Sequence, residues 1–291
     1  MISIRLNGGL GNQMFQYALS RALAISNNTE ILIDVDEFDT YELRSFELDK
    51  YNINASIFSR KYSKKKILNP QNILIKILKK INLEMFVPNY YFEKELLFDR
   101  KVLDIKDGTY LEGYFQSEKY FLHIREILLN EFTIKEGLSP YAKQVTKSIL
   151  NSKNSVSLHI RRGDYILDNH TNSIHGICDL NYYDKSIRYM QGKIQKLTIF
   201  VFSDDMEWSK ENLKYDNTIF VESDSKRIPH EDIFLMSLCN HNIIANSSFS
   251  WWGGWLNKNE EKIVITPKKW FSDKNKQKHS ENIVPAAWLK I

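Results

Sequence analysis

Two consecutive arginines, Arg161 and Arg162, stand between an apolar run ending in His159-Ile160 and the turn-forming pair Gly163-Asp164. Adjacent guanidiniums are costly to bury unless an anion meets them. Arginine grips a phosphate through two parallel N–H bonds and keeps its charge at any working pH. The competing reading is a structural Arg–Asp pair, which accounts for one arginine more readily than for both. A second cluster, Phe202-Ser203-Asp204-Asp205, also closes an apolar run. Its carboxylates can accept the N1–H and exocyclic amine of guanine, ligate a metal or cap the next helix. A third, Asn246-Ser247-Ser248-Phe249-Ser250, precedes Trp251, Trp252 and Trp255. Small hydroxyl residues ahead of a helix can bind a diphosphate through side chains and amides, while the tryptophans read mainly as core packing between domains. A fourth, Asn7-Gly8-Gly9-Leu10-Gly11-Asn12, is a glycine loop between a strand and a helix, open enough for amides to approach a phosphate. Asp34 follows Gly11 by 23 residues, near the spacing of a ribose-binding acid. Met14, however, occupies the place of the third glycine, and a ligand-free turn is the competing reading.

The elements that must hold these residues are legible from periodicity. Ile2, Ile4 and Leu6 alternate as a strand, and Met14, Phe15, Ala18, Leu19, Ala22 and Leu23 recur at helical spacing. A second strand runs from Glu30 to Val35, so the chain starts β–loop–α–β, the opening of a parallel sheet. Gly137, Ser139 and Pro140 predict an interruption near 138–154, dividing the chain into domains 1–140 and 141–291. Strands are expected at 156–160, 198–202, 219–222, 242–245 and 262–265, with helices at 180–192, 206–212 and 233–239. Two such halves place a site in the crevice between them, at the carboxyl ends of strands.

The 291 residues carry a net charge of only +4, too mild to predict nucleic-acid binding. Two cysteines, Cys178 and Cys239, supply neither a disulfide framework nor a four-cysteine zinc site, and Cys239 with His241 lacks a second pair. The start of the chain has no signal-peptide pattern, and no stretch has the length to span a membrane, so a cytoplasmic protein is expected. Residues 60–80 hold eight lysines and arginines and no acid. There Ile73, Ile77 and Ile81, with Leu74 and Leu78, form an apolar helix face opposite Lys76, Lys79 and Lys80. That face either packs on the core or lies on an anionic membrane as a peripheral contact.

Read together, the glycine loop with Gln13-Met14-Phe15-Gln16-Tyr17-Ala18, the His159–Tyr165 motif and the Ile243–Leu256 block resemble the alpha-1,2-fucosyltransferases of bacteria and animals. They occur in that family's order, with Tyr114-Phe115-Gln116-Ser117 and Phe202–Asp205 between them. The resemblance implies a GT-B-like α/β fold, with two Rossmann-like domains facing across a cleft. It implies transfer of L-fucose from GDP-β-L-fucose to the 2-hydroxyl of a terminal galactoside, with inversion and without a required metal or other cofactor. The same chemistry with another sugar donor or linkage is the alternative. By position, Arg161 matches the diphosphate-binding arginine, with His159 and Arg162 beside it. Ser247, Ser248 and Phe249 match the phosphate loop, and Asp204 or Asp205 the guanine-reading region. Asn7, Gly8, Gly9, Gly11 and Asn12 match a loop that closes on the donor. Asp164, Glu112 and His175 are candidate general bases, Asp164 alternatively orienting the arginines. The acceptor implied is a galactose-terminated oligosaccharide or lipid-linked glycan of a cell-surface polysaccharide. The family often has alanine where Gly253 or Gly254 stands here.

Overall fold

The computed structural model describes residues 1–40, 44–59, 73–80, 87–163, 173–222 and 228–291. It divides into two compact units, Met1–Thr133 and Ile134–Ile291.

The first unit is a parallel sheet of β1 (Ile2–Arg5), β2 (Ile31–Asp34), β3 (Ser56–Phe58), β4 (Tyr90–Phe92) and β5 (Tyr110–Glu112). Its strand order is β3-β2-β1-β5-β4. The chain therefore leaves β1 toward one edge and later fills the other, so the order reverses between β1 and β5. Ligand loops of open parallel sheets gather at such a reversal, beyond the carboxyl ends of the strands. Helix α1 (Leu10–Ser26) follows β1, and thirteen of its seventeen residues are buried, so it is a core helix and not a half-solvated one. Phe15, Tyr17 and Leu19 are fully enclosed.

Helix α2 (Ile73–Lys80) corrects the core-packing reading of the basic segment. Its buried residue is Ile75, packed with Tyr90 and Tyr110. One turn on, Lys79 turns inward too: its ammonium lies 2.8 Å from Glu112 Oε1 and 4.3 Å from the centroid of Phe92. Ile73, Leu74 and Ile77, which the core-packing reading turns inward, are 76, 62 and 50 % exposed. An ion pair and a ring face thus outcompete aliphatic burial for the inward position. Residues 60–72 and Ile81 lie outside the described residues. Helix α3 (Arg125–Glu131) completes this unit.

The second unit begins at Ile134. Residues 140–151 form helix α4 (Pro140–Asn151). Ser139 caps it by accepting the Ala142 amide at 3.1 Å, and Pro140 occupies the first turn, where its missing N–H costs nothing. The Ser-Pro pair is a helix start here, and Ala142, Val145 and Ile149 supply its buried stripe. The sheet then runs β6 (Asn154–Ile160), β7 (Leu197–Ser203), β8 (Thr218–Phe220), β9 (His241–Ile243), β10 (Val264–Thr266) and β11 (Leu289–Lys290). Helices α5 (Leu180–Lys193), α6 (Met206–Asn212), α7 (Pro229–Leu238), α8 (Ser248–Leu256) and α9 (Lys274–Lys278) intervene. The order is β11-β10-β9-β6-β7-β8, all parallel. This sheet reverses between β6 and β9. One face of it buries Val156, Leu158, Ile160, Ile199 and Val201 under Tyr183, Ile187 and Met190 of α5.

No helix among the described residues is long and apolar enough to cross a membrane.

Candidate active site

Three of the chemistry-bearing segments leave adjacent strands of the second sheet at the same edge. The register pairs Leu158 with Ile243 and Ile160 with Ser203, so β9, β6 and β7 end side by side. Arg161, Asp204 and Ser247 therefore emerge together, around the point where the strand order reverses. His159, 2 % exposed, spans that point, its ring 5.5 Å from the ring of Phe249.

The arginines are held by the aspartates. Asp204 Oδ2 lies 2.7 Å from Arg161 Nη1, and Asp204 Oδ1 accepts the Arg162 amide at 2.8 Å. Arg162 Nε donates to Asp205 Oδ2 at 3.2 Å, while Asp205 Oδ1 caps α6 by accepting the Trp208 amide at 3.1 Å. The Arg162 guanidinium rests 3.8 Å from the centre of the Trp208 ring. Gly163 suits this packing, since a Cβ there would stand 3.0 Å from Asp204 Oδ2 and the carboxylate would have to give by a few tenths of an ångström. The expectation that Asp204 or Asp205 reads guanine thus meets carboxylates already engaged by arginines and a helix cap. Trp208 was not singled out from the sequence. Its signal is position, three residues beyond the capping Asp205.

Ser247 is the N-cap of α8, accepting the Phe249 amide at 3.3 Å, and Ser248 and Phe249 form the first turn. Helix N-termini carry about half a positive charge and unpaired amides. Asn246, 4 % exposed, anchors the loop from below. Its Nδ2 donates to the carbonyls of His175 at 2.9 Å and Trp270 at 3.1 Å, with Gly176 at 3.3 Å. Trp251, Trp252 and Trp255 are at most 2 % exposed and stack with one another inside this unit, Trp251 also against Trp288 at 5.4 Å. Buried in that cluster, they leave no exposed ring face for a bound sugar to stack on. Gly253 lets α7 close on α8, since a Cβ would approach Met236 Cβ to 2.8 Å.

In the first unit the glycine loop is fixed by amide side chains. Gln16 Nε2 donates to Asn7 Oδ1 and to the Gly113 carbonyl, both at 2.9 Å, and Gln16 Oε1 accepts the Asn7 amide at 3.1 Å. Gln13 donates to the Gly8 carbonyl at 3.1 Å, and Gln116 donates to Asn12 Oδ1 at 2.8 Å. The loops after β1 and β5 are thereby tied together at this sheet's own reversal point. Gly8 sits at φ +74°, where a Cβ would stand 2.6 Å from Asn12 Nδ2. Gly9 and Gly11 flank the start of α1, and the Arg44 side chain lies 3.5 Å from where a Gly9 Cβ would be. The sequence signal for Gln13 and Gln16 is their place among the apolar residues Met14, Phe15, Tyr17 and Ala18.

The remaining candidates separate clearly. Asp164 lies outside the described residues. Glu112 is spent on Arg5, Lys79 and Tyr90. His175 lines a pocket of about 310 Å³ with Cys178, Asn246, Lys268 and Phe271. Asp34, 1 % exposed, accepts from Tyr110 Oη at 2.6 Å and the Asp36 amide at 3.0 Å, which builds it into the sheet instead of leaving it for a ribose. His241 Nδ1 accepts the Ile263 amide at 3.0 Å, and burial pushes its pKa down. Burial pushes the Cys178 thiol up to about 12, far from a nucleophile.

This arrangement has relatives. The sequence matches the family model described as Glycosyl transferase family 11 over residues 1–291. It is 37 % identical to an alpha-1,2-colitosyltransferase of Escherichia coli, covering 100 % of this chain and 99 % of that one. It is 37 % identical to the Escherichia coli O-antigen biosynthesis glycosyltransferase WbnK, covering 98 % and 99 %. A galactoside alpha-(1,2)-fucosyltransferase 1 of Rattus norvegicus is 25 % identical over 87 % of this chain and 63 % of its own. Among solved structures, fucosyltransferase NodZ from Bradyrhizobium superposes with a TM-score of 0.53 at 11 % identity, over 87 % of this chain and 92 % of its own. That likeness shows the shared GT-B-like α/β fold. Arginine-lined strand ends, two parallel-sheet units and a family match from the first residue to the last agree, and the chain belongs to glycosyl transferase family 11 as a glycosyltransferase.

Proposed function

We propose that the enzyme transfers L-fucose from GDP-β-L-fucose to the 2-hydroxyl of a terminal galactoside, with inversion, forming an alpha-1,2 linkage. The observation that carries this reading is the meeting of Arg161, Arg162 and the Ser247–Phe249 helix start at one strand-order reversal. Breaking the sugar–phosphate bond leaves negative charge on the departing diphosphate. Fixed cations and amides aimed at that charge lower the barrier because they need no reorganisation as it develops. Arg161, Arg162 and the Ser247–Ser248 amides are of that kind, and Asp204 and Asp205 serve by holding the arginines. In this proposal those cations take the role a metal plays elsewhere. His159 supports the base of the same loop. The Asn7–Asn12 loop, with Gly8, Gly9 and Gly11, is proposed as a donor-binding element of the first unit. Asp164, adjoining the arginines in sequence, is the proposed group for orienting them or accepting the acceptor proton.

A second donor is favoured by one observation, the colitosyltransferase at 37 % identity. Colitose is L-fucose without its 3-hydroxyl, so the two GDP sugars present the same diphosphate and guanine. The test is turnover of a β-galactoside with GDP-fucose and with GDP-colitose in excess EDTA, the product linkage read by NMR. Fucosyl-α-1,2-galactoside supports the first reading. Product from GDP-colitose alone selects the second. No product without added divalent metal removes the metal-free proposal.

We also propose a galactose-terminated or lipid-linked glycan of a cell-surface polysaccharide as acceptor, met at the cytoplasmic face of a membrane. The name of the WbnK relative supports the first part. The second is supported by α2, whose outward Ile73, Leu74 and Ile77 are flanked by the exposed Lys76 and Lys80, a combination suited to an anionic lipid surface.

A further inference from the structure

We propose that Trp208 is a positioning residue that aims Arg162 at the departing diphosphate. The inference rests on the phosphate reading of the arginines and assigns a residue that reading does not need. A guanidinium has two flat faces and a limited set of hydrogen-bonding edges. One face of Arg162 lies on the Trp208 ring at 3.8 Å, and its Nε–H is committed to Asp205 at 3.2 Å. What remains is the fork of Nη1 and Nη2, which has no hydrogen-bond partner among the described residues. That fork matches two oxygens of one phosphoryl group. The side chain is only 18 % exposed, so it does not sweep through solvent as a surface arginine does.

The clamp is also closed on itself. Asp205 bonds Arg162 through one oxygen and caps the Trp208 amide through the other. Trp208 in turn packs against the core of the second unit. The aim of Arg162 is therefore referred to the core through the indole and not only through an ion pair, which would weaken with salt. Loss of the ring leaves the charge in place and removes its orientation. It follows that Trp208 acts on diphosphate affinity only through Arg162.

The test is a double-mutant cycle on GDP binding, measured by calorimetry, with donor KM and kcat alongside. Trp208→Leu should weaken GDP binding about fivefold to tenfold, the scale of a partly desolvated cation–π contact. Donor KM should rise by the same factor, and Trp208→Phe should recover most of the loss. In the Arg162→Ala background Trp208→Leu should add less than twofold, since coupled residues are not additive. Unchanged GDP affinity in Trp208→Leu, or a full additive loss in the double variant, overturns the positioning role. Wild-type GDP affinity in Arg162→Ala overturns it together with the arginine reading, which separates the two failures. Should Trp208→Leu not fold, NMR of the wild-type Arg162 Nε–H, assigned through Arg162→Lys, decides. An upfield, ring-shifted resonance that moves on GDP addition supports the clamp, and one that does neither overturns it.

Discussion

Replacing Asp204 by asparagine separates two roles for that carboxylate. If it holds the arginines, Oδ1 of the asparagine can still accept the Arg162 amide, now 2.8 Å away. The other atom becomes an NH2 facing Arg161 Nη1 at the position where an oxygen stood 2.7 Å away. A charge-assisted hydrogen bond is lost and two donors are opposed. Such a bond contributes about 1.5–3 kcal/mol. The side chains are 22 % and 17 % exposed, so solvent screening reduces the expected loss to about 1–2 kcal/mol. For a unit of this size that lowers Tm by about 3–6 °C. GDP affinity should fall about tenfold, or 1.4 kcal/mol, as Arg161 loses its aim. The decisive quantity is the preference for GDP over IDP, which lacks the exocyclic amine. Calorimetric titration of wild type and Asp204→Asn with both nucleotides should give the same ratio. A ratio that collapses to one in the variant, with Tm unchanged, refutes the arginine-holding argument and returns Asp204 to the base.

Glu93 accepts the amides of Tyr114 and Phe115, yet burial pushes its carboxyl up to about 7. A pKa higher in the folded chain than in the unfolded one stabilises at low pH. That contribution is full below about 4.5 and lost as pH rises through about 7. Urea unfolding should show the first unit about 1–3 kcal/mol less stable at pH 8 than at pH 5, and Glu93→Gln should flatten the difference. Gly8→Ala should cost about 1–2 kcal/mol from its left-handed backbone, with more lost through the displaced Asn12, read as a lower Tm. Asn246→Ala leaves buried carbonyls of His175 and Trp270 without their donor and should cost about 2–3 kcal/mol, while Asn246→Asp should cost at least as much. Ile77→Asp should abolish sedimentation with vesicles containing phosphatidylglycerol and leave turnover of a soluble galactoside unchanged. Unchanged sedimentation sinks the membrane proposal.

Where one periodicity governed a segment, the sequence could be read closely. The helices expected at 180–192 and 206–212 occur at Leu180–Lys193 and Met206–Asn212. The strand expected at 156–160 is Asn154–Ile160, fully buried beyond its first residue. Strands of three residues such as β3 and β4 carry too few residues to show alternation. Ser139-Pro140 reads as a break from sequence because the same residue types start helices and end them, and only the following buried stripe decides. Lys79 escaped because a lysine at an inward position is explained by Glu112, which is distant in sequence. For the candidate site, the four motifs were visible as clusters of chemistry-bearing types. How Asp204 and Asp205 share themselves between two arginines and a helix cap was not, since it depends on strand register across β6 and β7.

Asn246 has a consequence for where the chain can be made. Asn246-Ser247-Ser248 is an acceptor sequence for N-linked oligosaccharide, a modification attached to the nascent chain in the lumen of eukaryotic secretory compartments. In the finished fold Asn246 is 4 % exposed, and the amide nitrogen that would carry the glycan donates to backbone carbonyls. A sugar attached there before folding would stand where the His175 and Trp270 carbonyls must close. Secretion through yeast or mammalian cells therefore sets glycan transfer in a race against folding, and chains modified at Asn246 would be arrested short of the native state. Ser248→Ala removes that acceptor sequence and leaves the Asn246 amide and the Ser247 cap intact.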